Sequence, residues 1–372
     1  MNPRYKKIYT CTPVAFHAND GFFIRDTGLL AAGIRSMGIE SKCIMPLPYY
    51  EDDQKEHLIR TPMANLKSVE WWKSLGIDGL ILYSWGMPKY NAIARAIHKA
   101  GIRLVIHMDT SGNFDKLLPE QYTPLKAMLK WCTSTVKNYF RAKHLSYADV
   151  ITMGMPVAKA ISNKLFFDSS VAEKNVPMPC PVAPECQYNG QEKKELILAV
   201  GRWDDILQKR PHILMQTLEN FYAKGNCQAE TYIYGTLTDE LTTWHQSLTP
   251  AVREKISLKG YTPNHLLREA YQQAKIILCP SSYEGCHIAS AEGLCCGCSI
   301  VIPNRPNALR TCIWYTTKNS GTVSAEDTPE SLAEALHAEL HEWETGNRNP
   351  HEISEAWCVH FHTDKVLPLM FP

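Results

Sequence analysis

The chain has 372 residues, 45% hydrophobic and 21% charged, with a formal net charge of +1. This excludes a disordered chain, which would lack the apolar material for a core, and the length suits two domains of about 100–200 residues each. No apolar run reaches the roughly 18 residues needed to span a bilayer, the opening MNPRYKKIYTCTPVAF lacks the apolar stretch of a secretory signal, and 13 scattered cysteines suit reduced cytosolic thiols better than a disulfide framework.

In chain order, KKIYTCTPVAF predicts a strand leading into a loop at 17–27, LLAAGIRSMG a helix, and SKCIMP a second strand. GLILYSW, IRLVIHMD and ADVITMG predict further short strands with helical patterns between them. The segment IRLVIHMDTSG ends in His107, Asp109 and Ser111. Ligands of open α/β sheets bind beyond the carboxyl ends of strands, and alternation puts His107 and Asp109 on one face. A buried structural histidine is the competing reading of His107.

Residues 125–144, LKAMLKWCTSTVKNYFRAKH, hold five Lys/Arg and no acid. Leu125, Leu129, Cys132, Val136 and Phe140 recur at helical spacing. Such a helix suits an anionic membrane surface, or else packs with a solvated basic rim. Residues 1–190 carry 23 Lys+Arg and 16 Asp+Glu, whereas 191–372 carry 16 and 22. The two halves therefore have different electrostatic surfaces.

Pro177, Pro179, Pro181 and Pro184 mark a linker, since proline fixes φ and removes a donor. Beyond it, LILAVG, ETYIYG, IILCPS and SIVIP predict strands, and PHILMQTLENFYAKG and HIASAEGLCCG predict helices. Short apolar strands alternating with helices imply parallel sheets covered on both faces. The chain has no Gly-x4-Gly-Lys-Ser/Thr, no Gly-x-Gly-x-x-Gly after the first strand and no Gly-x-Ser-x-Gly. A P-loop NTPase, a simple dinucleotide dehydrogenase and an α/β-hydrolase are therefore disfavoured.

The most informative stretch is 276–303, IILCPSSYEGCHIASAEGLCCGCSIVIP. A strand ends at Cys279-Pro280, and a helix is expected from Gly285–His287. Glu284 falls at the turn and Glu292 about two turns into that helix. Carboxylates accept paired hydrogen bonds from vicinal hydroxyls such as those of sugars and ribose. Backbone N–H groups at a helix start face anionic or hydroxyl-rich ligands. Cys295, Cys296 and Cys298 lack the second pair of a metal site and read as small buried hydrophobes.

This segment resembles the retaining GT-B glycosyltransferases, specifically glycosyltransferase family 4 (glycosyl transferases group 1). The matching residues are Pro280, Ser281, Glu284, Gly285, Glu292, Gly297, Ile300 and Val301. Cys286 and His287 stand where that family has an aromatic residue and a glycine, and Ser299 where it has proline. The segment ILAVGRWDDILQKRP is similar to the family's Val-Gly-Arg stretch with a following lysine. Arg202 and Lys209 there suit a diphosphate, as fork and point charge, although Lys209 and Arg210 also read as surface charges. LKGYTPNHLLREAYQQAKIILCP is similar to the stretch preceding the motif strand.

The resemblance implies two doubly wound Rossmann-like α/β domains facing across a cleft. Their expected bounds are an acceptor domain at 1–176, a linker at 177–195 and a donor domain at 196–354. A segment at 355–372, with Trp357 and Phe361, is expected to cross back to the first domain. The implied donor residues are Arg202, Lys209, Glu292, Gly285, Cys286, His287, Tyr261 near the base, Gly235 and Gly21. The last is carried by a loose glycine-loop match, and Tyr261 and Gly21 also read as a packed loop aromatic and a turn residue. Glu284 is the expected sugar-binding carboxylate, and His107 or Asp109 positions the acceptor.

The function implied is transfer of a sugar from a nucleotide-diphospho-sugar to a hydroxyl acceptor such as a lipid-linked saccharide. The setting is bacterial-type cell-surface polysaccharide or lipopolysaccharide assembly. The reaction is expected to need no metal and no cofactor. The expected location is the cytoplasm or the inner face of the membrane, touched through 125–144, with no nucleic-acid partner. A GT-B-type epimerase or phosphorylase, or a non-catalytic sugar-nucleotide binder, is the alternative.

Overall fold

The computed structural model describes residues 4–108, 123–153, 169–177, 180–224, 227–306 and 308–372. The chain divides into two compact units, one of Met1–Ala183 with His360–Pro372 and one of Pro184–Val359.

In the first unit, strands β1 (Ile8–Cys11), β2 (Cys43–Pro46), β3 (Leu58–Thr61), β4 (Gly79–Tyr83), β5 (Arg103–Met108), β6 (Val150–Met153) and β7 (Asn175–Pro177) form one sheet. Their order is β3-β2-β1-β4-β5-β6-β7, and every neighbouring pair is parallel. The strands are short apolar runs because both faces are covered. Leu80, Leu82, Leu104 and Ile106 enter one core. Ile81 and Val105, one residue out of phase, enter the other.

The chain's last residues complete that second core. Val366, Leu367, Met370 and Phe371 are buried in it, and the Phe371 ring meets Tyr5 edge-on at 5.3 Å. Gly79 admits the ring, since a Cβ there would lie 2.6 Å from it.

His144, on the helix Pro124–Leu145, is fully buried and its Nε2 lies 2.8 Å from Ser84 Oγ. Burial, with Arg141 adding to it, lowers its pKa from 6.5 to about 4. The folded imidazole thus resists a proton that the unfolded chain accepts. Its contribution to stability is fully present above pH 6.5 and is lost as the pH falls toward 4. Between pH 6.5 and 5 the expected loss is roughly 2 kcal/mol. Urea midpoints at pH 7.5 and 5 should diverge less in His144→Gln than in the wild type. Parallel pH dependence in the two proteins would refute the assignment.

The second unit repeats the plan with β8 (Lys194–Arg202), β9 (Glu230–Thr236), β10 (Ile256–Gly260), β11 (Ala274–Leu278), β12 (Ser299–Ile302) and β13 (Gly321–Val323). The order is β10-β9-β8-β11-β12-β13, again parallel at every neighbouring pair. Strand order reverses between β1 and β4 in the first unit and between β8 and β11 in the second. A crevice opens at the carboxyl ends of such a reversal, because successive loops leave to opposite sides.

Candidate functional site

The β8/β11 reversal gathers the chemistry of the second unit. After β8 the chain turns through Trp203–Asp205 into the short helix Ile206–Lys209, whose first turn is capped by Asp205 accepting from the Gln208 N–H at 3.1 Å. Arg210 ends that helix in the left-handed conformation, φ 51°, which non-glycine residues adopt only when their surroundings hold them there. Its guanidinium supplies the hold. Nε donates to the Pro280 carbonyl at 2.8 Å, and the two terminal nitrogens fork onto Asp327 at 2.7 and 3.2 Å. Arg305 donates to the same carboxylate. Sequence reasoning missed Arg210 and Asp327 as a pair. An arginine directly before a helix-starting proline was the available signal.

Next to this, β11 ends and the loop Cys279–His287 begins. The Ser282 N–H donates to the Gln208 carbonyl at 2.8 Å and the Glu284 N–H to the Ala308 carbonyl at 3.2 Å. These bonds place the Glu284 carboxylate on Lys209. Lys209 Nζ lies 2.5 Å from Oε1, Ser281 Oγ donates to the same oxygen at 2.6 Å, and Gln208 Nε2 donates to Oε2 at 3.0 Å. The two charged side chains are 12% and 5% exposed. Burial opposes charge on Lys209, but the Glu284 carboxylate outweighs it and raises the pKa. The ammonium is therefore retained at neutral pH.

The following helix spans Ile288–Cys295 with His287 at its N-cap. It starts later than the sequence reading placed it, so Glu292 lies one turn in rather than two. Glu292 is 4% exposed, and Asn264 Nδ2 donates to it at 3.4 Å. Gly293 lets the helix lie against β11, since a Cβ there would come 2.5 Å from Ile277. His287 is buried, with Nδ1 2.7 Å from Ser290 Oγ. Cys286 is buried beside half-buried Gly285. Burial opposes ionisation of the Cys279 thiol, but a hydrogen bond with Cys312 and the charges of His287 and Lys209 hold it well below its ordinary value. Burial likewise opposes charge on His287, and Cys279 reverses the effect and raises its pKa. Cys295, Cys296 and Cys298 are fully buried.

The structure does not bring every expected donor residue to this cluster. The Arg202 side chain is 68% exposed and reaches Asp205 at 3.4 Å. Tyr261 is 89% exposed. Gly235, at φ 111°, lies so close to β8 that a Cβ would meet the Gly201 carbonyl oxygen at 1.8 Å.

In the first unit, His107 ends β5 with Nδ1 2.6 Å from Thr152 Oγ1 on β6. It is 1% exposed, and its ring lies 5.2 Å from that of Tyr83. Asp109 lies outside the described residues. Gly21 sits in the four-residue helix Asp20–Phe23 on the loop after β1. That loop is tied down by a buried ion pair, in which Arg60 meets Asp53 at 2.7 Å and Asp53 accepts from the Ala18 N–H at 2.9 Å. Burial would raise the Asp53 pKa, yet Arg60 and two backbone donors lower it to about 2.

Comparisons with known proteins agree with this architecture. Among solved structures, HepE of Anabaena in complex with UDP is 11% identical, with a TM-score of 0.68 over 98% of both chains. A glycosyltransferase of Rickettsia africae is 12% identical, with a TM-score of 0.68 over 99% of this chain and 98% of that one. The lipopolysaccharide outer core galactosyltransferase WaaB is 13% identical, with a TM-score of 0.64 over 98% of both. No curated protein matches the chain by sequence. The fold is the GT-B fold of two parallel-sheet α/β domains, and residues 194–342, which include Lys209, Glu284 and Glu292, match the family profile described as glycosyl transferases group 1.

Proposed function

We propose that this protein is a retaining glycosyltransferase that moves a sugar from a nucleotide-diphospho-sugar to a hydroxyl acceptor without a metal ion. The observation that carries the reading is the buried Lys209–Glu284 pair at the β8/β11 reversal, inside the matched family segment. A cation and a carboxylate at one crevice suit the two halves of such a donor. The Lys209 ammonium faces the diphosphate, Arg202 approaches it from its exposed position after turning away from Asp205, and Glu284 takes sugar hydroxyls. Glu292 holds the ribose hydroxyls, and Gly285, Cys286 and His287 line the turn beside the sugar. Tyr261 and Gly235 are the remaining donor residues of the second unit, and Gly21 is the one assigned on the loop after β1 in the first. His107 or Asp109 positions the acceptor.

In the step itself, the bond from the anomeric carbon to the diphosphate oxygen breaks. The acceptor oxygen bonds to that carbon on the same face, and its proton passes to the departing diphosphate. No protein nucleophile takes part. Catalysis comes from stabilising the charge that grows on the leaving group. The test is nucleotide-diphosphate release from UDP-, GDP-, ADP- and CDP-sugars, with and without EDTA. One donor should be hydrolysed slowly and equally in both buffers. Failure to turn over or bind any of the four overturns the reading.

The acceptor we propose is a lipid-linked saccharide, in cell-surface polysaccharide or lipopolysaccharide assembly on the inner face of the membrane. Support comes from the helix Pro124–Leu145. Leu125, Met128, Leu129, Val136, Tyr139 and Phe140 are each at least half exposed, in a segment with five Lys/Arg and no acid. Apolar side chains left open among cations fit the headgroup boundary of an anionic bilayer. Among the described residues, no helix is long and apolar enough to cross a membrane. Flotation should recover the protein several-fold better with anionic than with neutral vesicles, and Lys126→Glu with Lys143→Glu should abolish the difference. Equal recovery by the wild type on both vesicles counts against a membrane contact.

A further inference from the structure

Buried thiols beside Glu284 and His287 take no part in the proposed reaction. Cys279 directly follows β11, and its thiol is fully buried. The ligand atoms of Cys279, Glu284 and His287 all lie within 4.8 Å of one another. Cys312, on the helix Arg310–Tyr315 and also fully buried, is the neighbouring thiol and acts on the ionisation of Cys279. A thiol, an imidazole and a carboxylate therefore converge in a space screened from water, with a second thiol beside them. Ser290 occupies His287 Nδ1, which leaves Nε2 as the ligating nitrogen and fixes the ring.

We propose that this cluster binds a thiophilic divalent cation of the Zn²⁺ type, and that the bound ion switches the donor site off. The donor set selects the ion. Thiolate and imidazole favour zinc over magnesium or calcium, which take oxygen ligands. Tetrahedral zinc, with ligand bonds of about 2.0–2.3 Å, places its donors roughly 3.3–3.8 Å apart. The observed group needs only a small contraction to reach that spacing. Ligation needs a thiolate and a neutral imidazole, so binding releases to solvent the proton held by the Cys279–His287 pair.

Inhibition follows from Glu284. Its Oε1 holds the Lys209 ammonium at 2.5 Å and its Oε2 the Gln208 amide, and a dication ligated by this carboxylate draws off the negative charge that the buried ammonium needs. Zinc ligation therefore drives Lys209 away from Glu284, and the arrangement that receives the donor is lost. The metal form and the donor-competent form exclude each other, so zinc acts against a reaction that itself needs no metal. The inhibitory half of this proposal rests on the role given to Glu284 above; the metal site does not.

The test titrates the metal-free full-length protein with Co²⁺ and then Zn²⁺. One cobalt per chain should give the near-ultraviolet thiolate-to-cobalt band, and zinc should displace it. Zinc should also suppress nucleotide-diphosphate release, and a chelator should restore it. Cys279→Ser should weaken zinc binding about 100-fold, keep turnover in metal-free buffer and lose the inhibition. Cys132→Ser, at an exposed cysteine, should behave as the wild type. If Cys279→Ser does not fold, Cys312→Ser is read by the same cobalt band. No thiolate band, or equal zinc affinity in wild type and Cys279→Ser, overturns the site. Zinc bound with turnover unchanged overturns the inhibition. Absence of turnover in every buffer overturns glycosyl transfer alone, and the cobalt band still decides the metal site.

Discussion

Lys209→Met is expected to slow nucleotide-diphosphate release by about 100- to 1000-fold, the loss typical when one preorganised group facing transition-state charge is removed. Negative charge moves onto the diphosphate as the glycosidic bond breaks. A buried ammonium already in place needs no rearrangement to meet it. The substitution also strands Glu284, which is 5% exposed, and removing one partner of a buried pair costs about 3–5 kcal/mol of stability. The two effects are separated by comparing Lys209→Met/Glu284→Gln with Glu284→Gln alone. In the double variant the stranded charge is gone, so the urea midpoint should recover while turnover stays well below that of Glu284→Gln. If the two variants turn over equally, Lys209 has only a packing role. Lys209→Arg is not expected to rescue, because a planar fork does not fit where a compact ammonium meets Glu284 and is flanked by Ser281 and Gln208 on the same carboxylate.

Glu284→Gln is the second large effect. The amide keeps the shape and can still accept from Ser281 and Lys209, but it leaves the buried Lys209 ammonium uncompensated, so the protein should fold with a lowered urea midpoint. It loses the charge that makes hydrogen bonds to sugar hydroxyls strong, and turnover should fall about 100-fold. Because Glu284 is assigned to the sugar and not the nucleotide, affinity for the free nucleoside diphosphate should change little. The check is a pair of measurements on one variant: donor turnover, and binding of the diphosphate alone. Full activity in Glu284→Gln would sink the assignment.

The inner strands of both sheets were legible as sequence. IRLVIHMD, GLILYSW, LILAVG and SIVIP are continuous apolar runs because they are buried on both faces. The strands that the pattern missed are β3, β7, β10 and β13, the four edges of the two sheets. An edge strand has one neighbour and is less fully covered. The burial of β10 and β13 is partial along most of their length, and β7 ends in Pro177, which only an edge tolerates readily.

At the site, Lys209 and Glu284 were each singled out, but for different parts of a donor. Their direct pairing across 75 residues was not visible. It depends on the β8–β11 adjacency, which no local pattern encodes. The same holds for Arg210 and Asp327, 117 residues apart, which look like surface charges in sequence. The placing of the Cys312 thiol beside Cys279 is likewise set by packing at the end of β11, whereas the buried, hydrophobe-like cysteines at 295–298 followed from their apolar setting.

The proposed reaction requires a nucleotide-diphospho-sugar to sit on Lys209 and Glu284. The most direct measurement is calorimetric titration of the full-length protein with UDP, GDP, ADP and CDP, repeated with Lys209→Met. One nucleoside diphosphate should bind at one site per chain, and the variant should bind it at least about tenfold more weakly, the loss of one charge-assisted contact. Binding of equal strength in wild type and variant, or no binding by any of the four, would contradict the claim.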